Sequence, residues 1–543
     1  MISYGVKGVL MRNMLESLKF WFIFLFLLPS FVLSGQRTDS GLDNIQIAWQ
    51  LITNFYVDTI DNDELAREAI EAMLRKLDPH SVYIPAEEVS AMNEPLDGNF
   101  EGVGIEFVIM DDTLTVVSAI TGGPSQKVGL RAGDRIIAVD GKSITSIGLK
   151  NSDVFKLLRG KKGSVVELMV KRRGIDNQIP FRITRDKIPI YSLVAAYMAT
   201  PETGYIKISR FAATTHNEFV DAVKRLDSEG MKNMILDLRG NGGGYLKAAL
   251  DIADEFLGDN KLMLYTEGNS VSRRNHFSTR NGLWQKGDLV ILLDEGSASA
   301  SEIVAGAIQD WDRGVVVGRR SFGKGLVQRP FSMPDGSEIR LTIANYFTPS
   351  GRSIQKPYGK GISEYRSEIG TRLAKGELTS RDSIHLEDAA YYETLVKKRA
   401  VYGGGGIIPD VFVPIDTTSY TEYFRRLSAT GALNQSVIQY LDLHRDDLKR
   451  TFTDFEEFKS AFVVDEQLIE MLVDEGVGLG VEPVPAELEL SSEMINNHLK
   501  ALIAKDLWDM SAYYEIINPT LSVYNKAIEL LEKRDLFSEI DKR

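Results

Sequence analysis

The sequence predicts a multidomain α/β protein, and three observations predict this fold class. At 543 residues the chain is too long for one hydrophobic core. Residues 191–360 alternate apolar strands with helices, an order that gives a largely parallel, buried sheet with helices over its faces. Residues 97–190 contain mostly short strands, and the chain after about residue 417 is mainly helical and charged.

The composition excludes several classes of function. The net charge of −13 argues against a nucleic-acid partner, because phosphate binding needs clustered Lys and Arg. Cysteine is absent, which removes thiol catalysis, disulfides and thiolate metal sites. Only six His are present and no two have i, i+4 spacing, so we do not expect a His-rich metal site.

The N-terminus, residues 1–35, has the pattern of a secretory signal peptide. Basic residues precede the apolar run Phe20–Leu28, and small residues follow it. We therefore expect an exported, periplasmic protein. Leu33 stands where a small residue is expected before the cleavage point, so an uncleaved segment that anchors the chain in the inner membrane stays open.

Residues 36–96 are predicted as an N-terminal helical region. Apolar residues recur there at helical spacing: Ile45, Trp49, Ile52 and Tyr56. Asp61 or Asp63 can cap a second helix, Glu64–Leu77, which the turn Leu77–Ser81 ends.

Residues 97–190 are predicted as a small β module. Turn signals such as Asp140-Gly141 separate its strands, and one helix, Asn151–Leu158, interrupts them. The predicted strands are Gly104–Met110, Leu114–Ala119, Arg135–Val139 and Val165–Lys171.

Residues 191–416 are predicted as the α/β core. Its predicted strands are Tyr205–Ile208, Met234–Leu238, Leu289–Leu293 and Val315–Val317. Its predicted helices are Asn217–Glu229, Leu246–Leu257 and Ser301–Gln309. The glycine run Gly403–Gly406 is predicted as a flexible joint, and residues 417–543 as a helical C-terminal extension.

A serine-rich segment follows the strand Leu289–Leu293 and leads into a helix. Ser299 would lie at the helix N-terminus, where unpaired N–H groups and the helix dipole favour a developing oxyanion. Ser299 and Glu302 also match an S-x-x-E capping box, which needs no catalysis to explain it. From the residues alone both interpretations stay open.

A glycine-rich turn, Gly240–Gly244, follows the strand Met234–Leu238. Glycines let the backbone approach a ligand closely and point N–H groups at it, as one half of an oxyanion hole would. An ordinary flexible turn explains the pattern equally well. A dinucleotide site fits poorly, because Tyr245 occupies the last glycine position of G-x-G-x-x-G.

The segment Val315–Gln328 contains two misleading matches. Gly318–Lys324 fits G-x-x-x-x-G-K, but Gly325 follows where a nucleotide site needs Ser or Thr. Ser321–Lys324 fits the S-x-x-K pattern of penicillin-binding enzymes, but that motif works on a helix, which the neighbouring glycines disfavour.

Lys324 remains in this segment as a base for Ser299. Lysine titrates near 10.4 when unperturbed, so it is a poor base at neutral pH unless burial lowers its pKa. Glycine neighbours and an apolar strand could bury the ammonium group. An exposed surface lysine is the alternative.

Taken together, these segments resemble the carboxyl-terminal processing peptidases, also called tail-specific proteases. The family pattern is an Asn-Gly-Gly turn, then S-A-S-A-S-E, then F-G-K-G-x-V-Q, found here at Asn241–Leu246, Ser297–Glu302 and Phe322–Gln328. The resemblance runs from about residue 41 to 415. It implies a crotonase-like βαβ peptidase core with an inserted PDZ β module and helical N- and C-terminal regions.

The resemblance also implies roles for individual residues. The implied catalytic residues are the nucleophile Ser299, the base Lys324, and Gln328, which orients the lysine. The implied oxyanion donors are the N–H groups of Ala300 and of one turn glycine, Gly244 or, as the fallback, Gly243. The implied reaction is acyl transfer to serine and hydrolysis of the acyl-enzyme, without metal or cofactor.

The β module resembles a PDZ domain. Gly102–Phe107 matches the loop and strand that capture a peptide C-terminus, and Leu130–Ile136 matches the accompanying turn. The resemblance implies that Val103, Gly104 and Ile105 contact the terminal carboxylate of a protein or peptide substrate. A purely structural β module is the alternative.

Residues 417–543 lie outside the general family pattern and resemble extensions in a subset of exported bacterial members. Family members can dimerise through terminal helices, so a homo-oligomer is an expectation. The resulting hypothesis is an exported serine endopeptidase that cleaves proteins near their C-termini with a Ser-Lys dyad. Two rivals stay open: a PDZ-bearing binding protein on an inactive peptidase fold, and a penicillin-binding or esterase-like acyltransferase that uses Ser321.

Overall fold

The computed structural model describes residues 40–110, 112–120, 122–279, 282–385, 390–533, 536, 537 and 540. The predicted signal peptide, residues 1–35, lies outside the described residues. The chain divides into two compact units, residues 1–73 and 74–543. In the described part of the chain, no helix is both long enough and apolar enough to cross a bilayer.

The first unit is helical where it is described. Its helices are α1 (Ser40–Phe55) and α2 (Asn62–Arg75), and α2 ends inside the second unit. Asp61 Oδ1 accepts hydrogen bonds from the N–H groups of Asp63 and Glu64, both at 3.0 Å. Of the two predicted capping residues, Asp61 is therefore the one that caps α2.

The beginning of the second unit differs from the prediction. The sequence predicts only helices for residues 36–96, but Val82–Ile84 form a strand, β1, which precedes helix α3 (Ala86–Asp97). This strand pairs antiparallel with Glu338–Arg340. The prediction was wrong here because a short strand is fixed by its distant partner and not by a local pattern.

The β module has the predicted strands and helix. Its elements are β2 (Asn99–Gly102), β3 (Ile105–Met110), β4 (Thr113–Ala119), α4 (Pro124–Lys127), β5 (Arg135–Val139), β6 (Lys142–Ser143), α5 (Asn151–Leu158), β7 (Val165–Lys171), β8 (Ile179–Thr184) and β9 (Asp186–Pro189). The sheet order is β3-β4-β5-β7-β8 with β6 beside β5, so β3 lies at an edge. Strands β2 and β9 pair separately.

The core alternates strands and helices as predicted. Its elements are β10 (Leu193–Thr200), β11 (Thr203–Ile208), α6 (Thr215–Ser228), β12 (Asn233–Asp237), α7 (Leu246–Phe256), β13 (Leu262–Gly268), β14 (Val271–Phe277), β15 (Leu289–Leu293), α8 (Ala300–Asp310), β16 (Val315–Gly318), β17 (Leu326–Ser332), β18 (Glu338–Phe347), α9 (Ile362–Ala374), a 3₁₀ turn (Arg381–Ser383), β19 (Tyr391–Glu393), β20 (Ala400–Tyr402) and β21 (Val411–Phe412).

Two sheets organise this core. The main sheet has the order β10-β11-β12-β15-β16-β21 and is parallel except between β10 and β11. The expectation of a largely parallel sheet is confirmed. The second sheet is antiparallel, with the order β1-β18-β13-β14 and β17 beside β18.

The C-terminal region is helical, as predicted. Its elements are α10 (Glu422–Thr430), α11 (Ala432–Thr451), α12 (Phe455–Ala461), α13 (Glu466–Gly478), α14 (Pro485–Leu490), α15 (Ser492–Leu507), α16 (Met510–Ile517), a 3₁₀ turn (Asn518–Thr520) and α17 (Ser522–Leu531). Most of these helices share a hydrophobic core of their own. The predicted boundaries at 36–96, 97–190, 191–416 and 417–543 stay predictions.

Both faces of the main sheet are covered. Helices α6, α7 and α8 bury one face, which includes Leu236 and Ile291. Helix α17 packs on the other face, where Leu530 lies in one cluster with Ile235 and Val290. The last helix of the predicted extension is therefore a structural layer of the core.

The glycine run Gly403–Gly406 is not the flexible joint that the sequence predicts. The N–H groups of Gly404 and Gly406 donate to the carbonyls of Ser353 and Ile354 at 2.7 and 2.8 Å. A Cβ on Gly406 would lie 2.8 Å from the carbonyl oxygen of Ser321. The prediction was wrong because glycine here permits close backbone packing.

Candidate active site

The structure brings the five residues predicted for catalysis and oxyanion binding into one cleft of about 530 Å³. They are Ser299, Lys324, Gln328, Gly244 and Ala300. Gly244 lies in the turn after β12, Ser299 and Ala300 lie where the turn after β15 meets α8, and Lys324 and Gln328 lie just before and within β17. In a parallel sheet, loops that follow neighbouring strands meet at the same edge, which is where such sites form.

Ser299 is held in a strained backbone conformation. Its φ of +54° lies in the left-handed region that non-glycine residues rarely adopt. Ser299 immediately precedes α8, and the N–H of Ala300 has no hydrogen-bond acceptor among the described residues. The arrangement places a hydroxyl beside an unpaired N–H at the positive end of a helix.

The glycine turn lies against Ser299. A Cβ on Gly243 would lie 2.8 Å from the Cβ of Ser299, so only glycine fits at this position. Buried Asn241 orders the turn, because its Oδ1 accepts the N–H of Gly243 at 2.9 Å. In the described part of the chain the N–H of Gly244 has no acceptor, so Gly244 is better placed than Gly243 to donate to an oxyanion.

Lys324 is half-buried, and its amine is oriented by Gln328. Its Nζ donates to Gln328 Oε1 at 2.8 Å, and Gln328 Nε2 donates to the carbonyl oxygen of His80. Burial lowers the pKa of Lys324 below its ordinary value of 10.5, although the nearby carboxylates of Glu302 and Asp78 oppose this shift. The amine is thus biased toward the uncharged form that a general base requires.

Glu302 is a site residue whose full role the sequence does not reveal. Its carboxylate is completely buried and accepts four hydrogen bonds. The donors are the N–H groups of Ser299 (2.7 Å), Gly323 (2.7 Å) and Lys324 (2.9 Å) and the hydroxyl of Ser321 (2.6 Å). The capping-box pattern identifies the bond to Ser299 but gives no sign of the other three.

Tyr346 and the segment Asp78–Ser81 also support the site, although neither was predicted as a site residue from the sequence. The hydroxyl of Tyr346 lies 2.8 Å from the carbonyl oxygen of Lys324 and 3.1 Å from that of Ser299, and the two oxygens share its single proton. Burial, together with the positive charge of nearby Lys324, lowers the pKa of His80 to about 4. Only the placement of Asp78–Ser81 within the family resemblance indicated that this turn mattered.

Ser321 is not available for acyl transfer. Its side chain is fully buried, and its hydroxyl donates to Glu302 while accepting the N–H of Ile407 at 2.7 Å. The Gly318–Lys324 match to a nucleotide loop leads into strand β17 and not into a helix. Both alternatives that the sequence suggested for this segment therefore lack a structural basis.

The residues predicted to bind a tail carboxylate lie at a second cavity, of about 850 Å³. Val103, Gly104 and Ile105 form the loop and the beginning of the edge strand β3. Gly104 has a φ of +76°, and the carbonyl of Val103 accepts hydrogen bonds from the N–H and hydroxyl of Ser125, at 3.1 and 2.7 Å. These contacts fix the loop beside β3, which ends its sheet among the described residues.

Four family models match the chain. Peptidase family S41 matches residues 202–364, the PDZ domain matches 115–172, and the activating protease CtpB N-terminal domain matches 32–88. A family of unknown function matches residues 423–509, within the helical C-terminal region.

Curated relatives match over most of their own length. The carboxy-terminal processing protease CtpB of Bacillus subtilis (strain 168) is 36% identical over 337 residues, which are 62% of this chain and 69% of that protein. The carboxy-terminal-processing protease of Bartonella bacilliformis is 35% identical over 333 residues, 60% of this chain and 75% of that protein.

Among solved structures, the photosystem II D1 C-terminal processing protease is 29% identical, with a TM-score of 0.33, over 59% of this chain and 91% of that one. The sequence matches to the curated relatives and the S41 and PDZ models carry the assignment. The chain belongs to the carboxy-terminal processing proteases of peptidase family S41 and is a serine-type peptidase that carries a PDZ domain.

Proposed function

We propose that this protein is an exported serine endopeptidase that cleaves protein substrates near their C-termini with a Ser299–Lys324 dyad. The observation that carries the proposal is that both side chains line one cleft with the N–H groups of Gly244 and Ala300, for which the described part of the chain offers no acceptor. Gln328 holds the lysine amine at 2.8 Å, and burial lowers the pKa of that amine.

In the first half of the proposed reaction, uncharged Lys324 Nζ takes the proton from Ser299 Oγ as the oxygen attacks the substrate carbonyl carbon. The carbonyl oxygen becomes an oxyanion, to which the N–H groups of Gly244 and Ala300 donate. Lys324 then passes the proton to the leaving amine as the peptide C–N bond breaks, which leaves an ester on Ser299.

In the second half, Lys324 takes a proton from a water molecule that attacks the ester carbonyl. The same two N–H groups stabilise the second oxyanion. The proton returns to Ser299 Oγ when the C–O bond of the ester breaks, and the substrate leaves as a carboxylic acid. Gln328 keeps the amine aimed at the reacting oxygen throughout.

The PDZ module supplies the proposed recognition of the substrate tail. A peptide would extend the sheet along the open edge of β3, with its terminal carboxylate at the loop of Val103, Gly104 and Ile105. Main-chain hydrogen bonds would hold any sequence, and the apolar lining of the cavity would favour apolar tail residues.

Four further features belong to this proposal. The signal peptide at residues 1–35 would direct the protein to the periplasm, with an inner-membrane tether if the segment is not cleaved. The βαβ core would be crotonase-like, the boundaries would fall as the sequence predicts, and the protein would form a homo-oligomer through its terminal helices.

The experiment compares Ser299→Ala and Lys324→Ala with the parent on an unfolded protein that ends in an apolar tail. Each variant should lose cleavage, and a fluorophosphonate probe should label the parent at Ser299 only. Ser228→Ala and Lys224→Ala, at exposed positions of α6, are the matched controls and should cleave normally. Near-parental cleavage by either dyad variant would refute the mechanism.

A further inference from the structure

Three parts of the chain line the cavity of about 850 Å³ beside the PDZ module. The module supplies β3, the loop before it and Phe155 of α5. The core supplies the edge strand β10, and the C-terminal region supplies Asp509, Met510 and Ser511 at the beginning of α16. The C-terminal region is therefore one wall of the proposed tail-binding groove.

Two sheet edges meet at this cavity, because β3 and β10 each end their sheet. At Ala196 of β10 the backbone groups already have partners. The hydroxyl of Ser511 accepts the N–H at 3.3 Å, and Arg225 Nη2 donates to the carbonyl at 2.6 Å. A peptide cannot pair with β10 at this point without displacing them, which favours β3 as the edge that a peptide extends.

The wall formed by the C-terminal region is fixed on both sides of the cavity. Asp509 caps α16. The hydroxyl of Ser511, in the first turn of α16, accepts the N–H of Ala196 in β10. Toward the PDZ module, Lys505 Nζ lies 3.7 Å from Glu106 Oε2 of β3, and Asp442 lies 3.6 Å from Arg135 of β5. These contacts hold the beginning of α16 in place, and Met510 lines the groove from there.

We propose that Met510 is a specificity-determining residue that packs against an apolar side chain of the substrate tail bound along β3. This inference rests on the proposed function, in which the tail binds at β3. The lining that Met510 joins is largely apolar and includes Phe100, Phe107, Phe155 and Val194. Its flexible thioether can adapt to apolar side chains of different shape, but it offers no partner to a charged one.

The test uses the full chain with Ser299→Ala, so that a bound peptide is not cleaved. The probe is a fluorescent peptide with an apolar tail and a free carboxylate, and fluorescence anisotropy gives its Kd. Met510→Asp should raise the Kd about tenfold. Met510→Leu should change it by less than about twofold, because the volume is conserved. Leu490→Asp, at an exposed position outside the cavity, should leave it unchanged.

The variant Phe155→Asp, in the part of the cavity wall that the PDZ module supplies, separates this inference from the proposed function. If Phe155→Asp weakens binding but Met510→Asp does not, the groove binds the tail without help from the C-terminal region, and the inference is wrong. If the parent does not bind the peptide, tail binding at β3 is itself wrong, and the inference falls with it. Should Met510→Asp unfold at a lower temperature than the parent, Met510→Ala replaces it, with an expected rise in Kd of about threefold.

Discussion

Oε2 of Glu302 accepts a hydrogen bond from the backbone N–H of Lys324 at 2.9 Å. The same oxygen accepts the N–H of Ser299 at 2.7 Å, so one buried carboxylate fixes the backbone of the proposed base and of the proposed nucleophile. All four groups that bond to Glu302 donate to it. Burial raises the pKa of Glu302, and these four hydrogen bonds oppose that shift because they favour the carboxylate form. The separation of the two reacting side chains therefore depends on Glu302.

Glu302→Gln should lower both stability and activity. The amide has the same size but replaces one acceptor oxygen with a donor, and each buried donor left without a partner costs about 1–3 kcal/mol. We expect the free energy of unfolding, from urea titration, to fall by at least about 2 kcal/mol. At a temperature where the variant is folded, kcat/KM should fall about 100-fold because the dyad is displaced.

The control for this prediction is Glu364→Gln. Glu364 is exposed on α9 and pairs with a lysine one turn away, so loss of its charge should change the free energy of unfolding by less than about 0.5 kcal/mol. Equal stability of the Glu302 and Glu364 variants would show that the buried carboxylate does not hold the site together.

Activity should rise with pH on the acidic side of its profile. Only the uncharged Lys324 amine accepts a proton, and burial lowers its pKa from 10.5, so the rise should occur below that value. The negative charge of Asp78 raises the pKa of Lys324 and the positive charge of Arg340 lowers it. Asp78→Asn should thus move the acidic limb of kcat/KM to lower pH, and Arg340→Gln should move it to higher pH.

The direction in which each variant moves the acidic limb of kcat/KM tests whether Lys324 is the group that titrates. The measurement is kcat/KM against pH for parent and variants on one substrate. Shifts in the same direction, or no acidic limb below pH 10.5, would contradict a titrating Lys324 as the base. Asp78 and Arg340 also make hydrogen bonds nearby, so unfolding curves accompany the profiles.

Local sequence patterns predicted the parts of the site that are contiguous in the chain. The strand Leu289–Leu293, the turn and helix α8 follow from periodicity and small residues, and they place Ser299 at a helix N-terminus. The largely parallel sheet follows from the alternation of strands and helices. The roles of Lys324 and Gln328 came from the family resemblance, because spacing alone left an exposed lysine possible.

The missed features are those that distant residues create. Glu302 bonds to residues 19 to 22 positions away, and Gln328 bonds to His80 across 248 positions. Tyr346 reaches Lys324 and Ser299 because β18 pairs with β17, which begins two residues after Lys324. The spacing of apolar residues along the sequence cannot predict such contacts, because they depend on how strands pair across the fold.

Ser299→Gly should give a more stable protein than Ser299→Ala, although neither should be active. Both variants lose the hydroxyl, but alanine keeps the Cβ that opposes the φ of +54°. Relief of this strain is worth about 1–3 kcal/mol, which the greater entropy of glycine in the unfolded chain reduces to a net gain of about 1 kcal/mol.

The measurement for this pair is the urea concentration at the unfolding midpoint of each variant. The slope of each transition is compared as well, because equal slopes show that both variants expose the same surface on unfolding. Equal midpoints would mean that the surrounding turn relaxes and stores no strain at Ser299. A higher midpoint for alanine would contradict the left-handed conformation itself.

Leu530→Ala should destabilise the whole peptidase core and not only the C-terminal helices. Leu530 is fully buried against Ile235 and Val290 of the main sheet, and removal of such a side chain costs about 2–5 kcal/mol. Calorimetry should show one cooperative transition at lower temperature, with peptidase activity lost in the same range. Leu490→Ala, at an exposed position, should leave the transition unchanged. A separate early transition that spares activity would instead indicate that residues 417–543 fold as an independent domain, in spite of the sheet face that α17 covers.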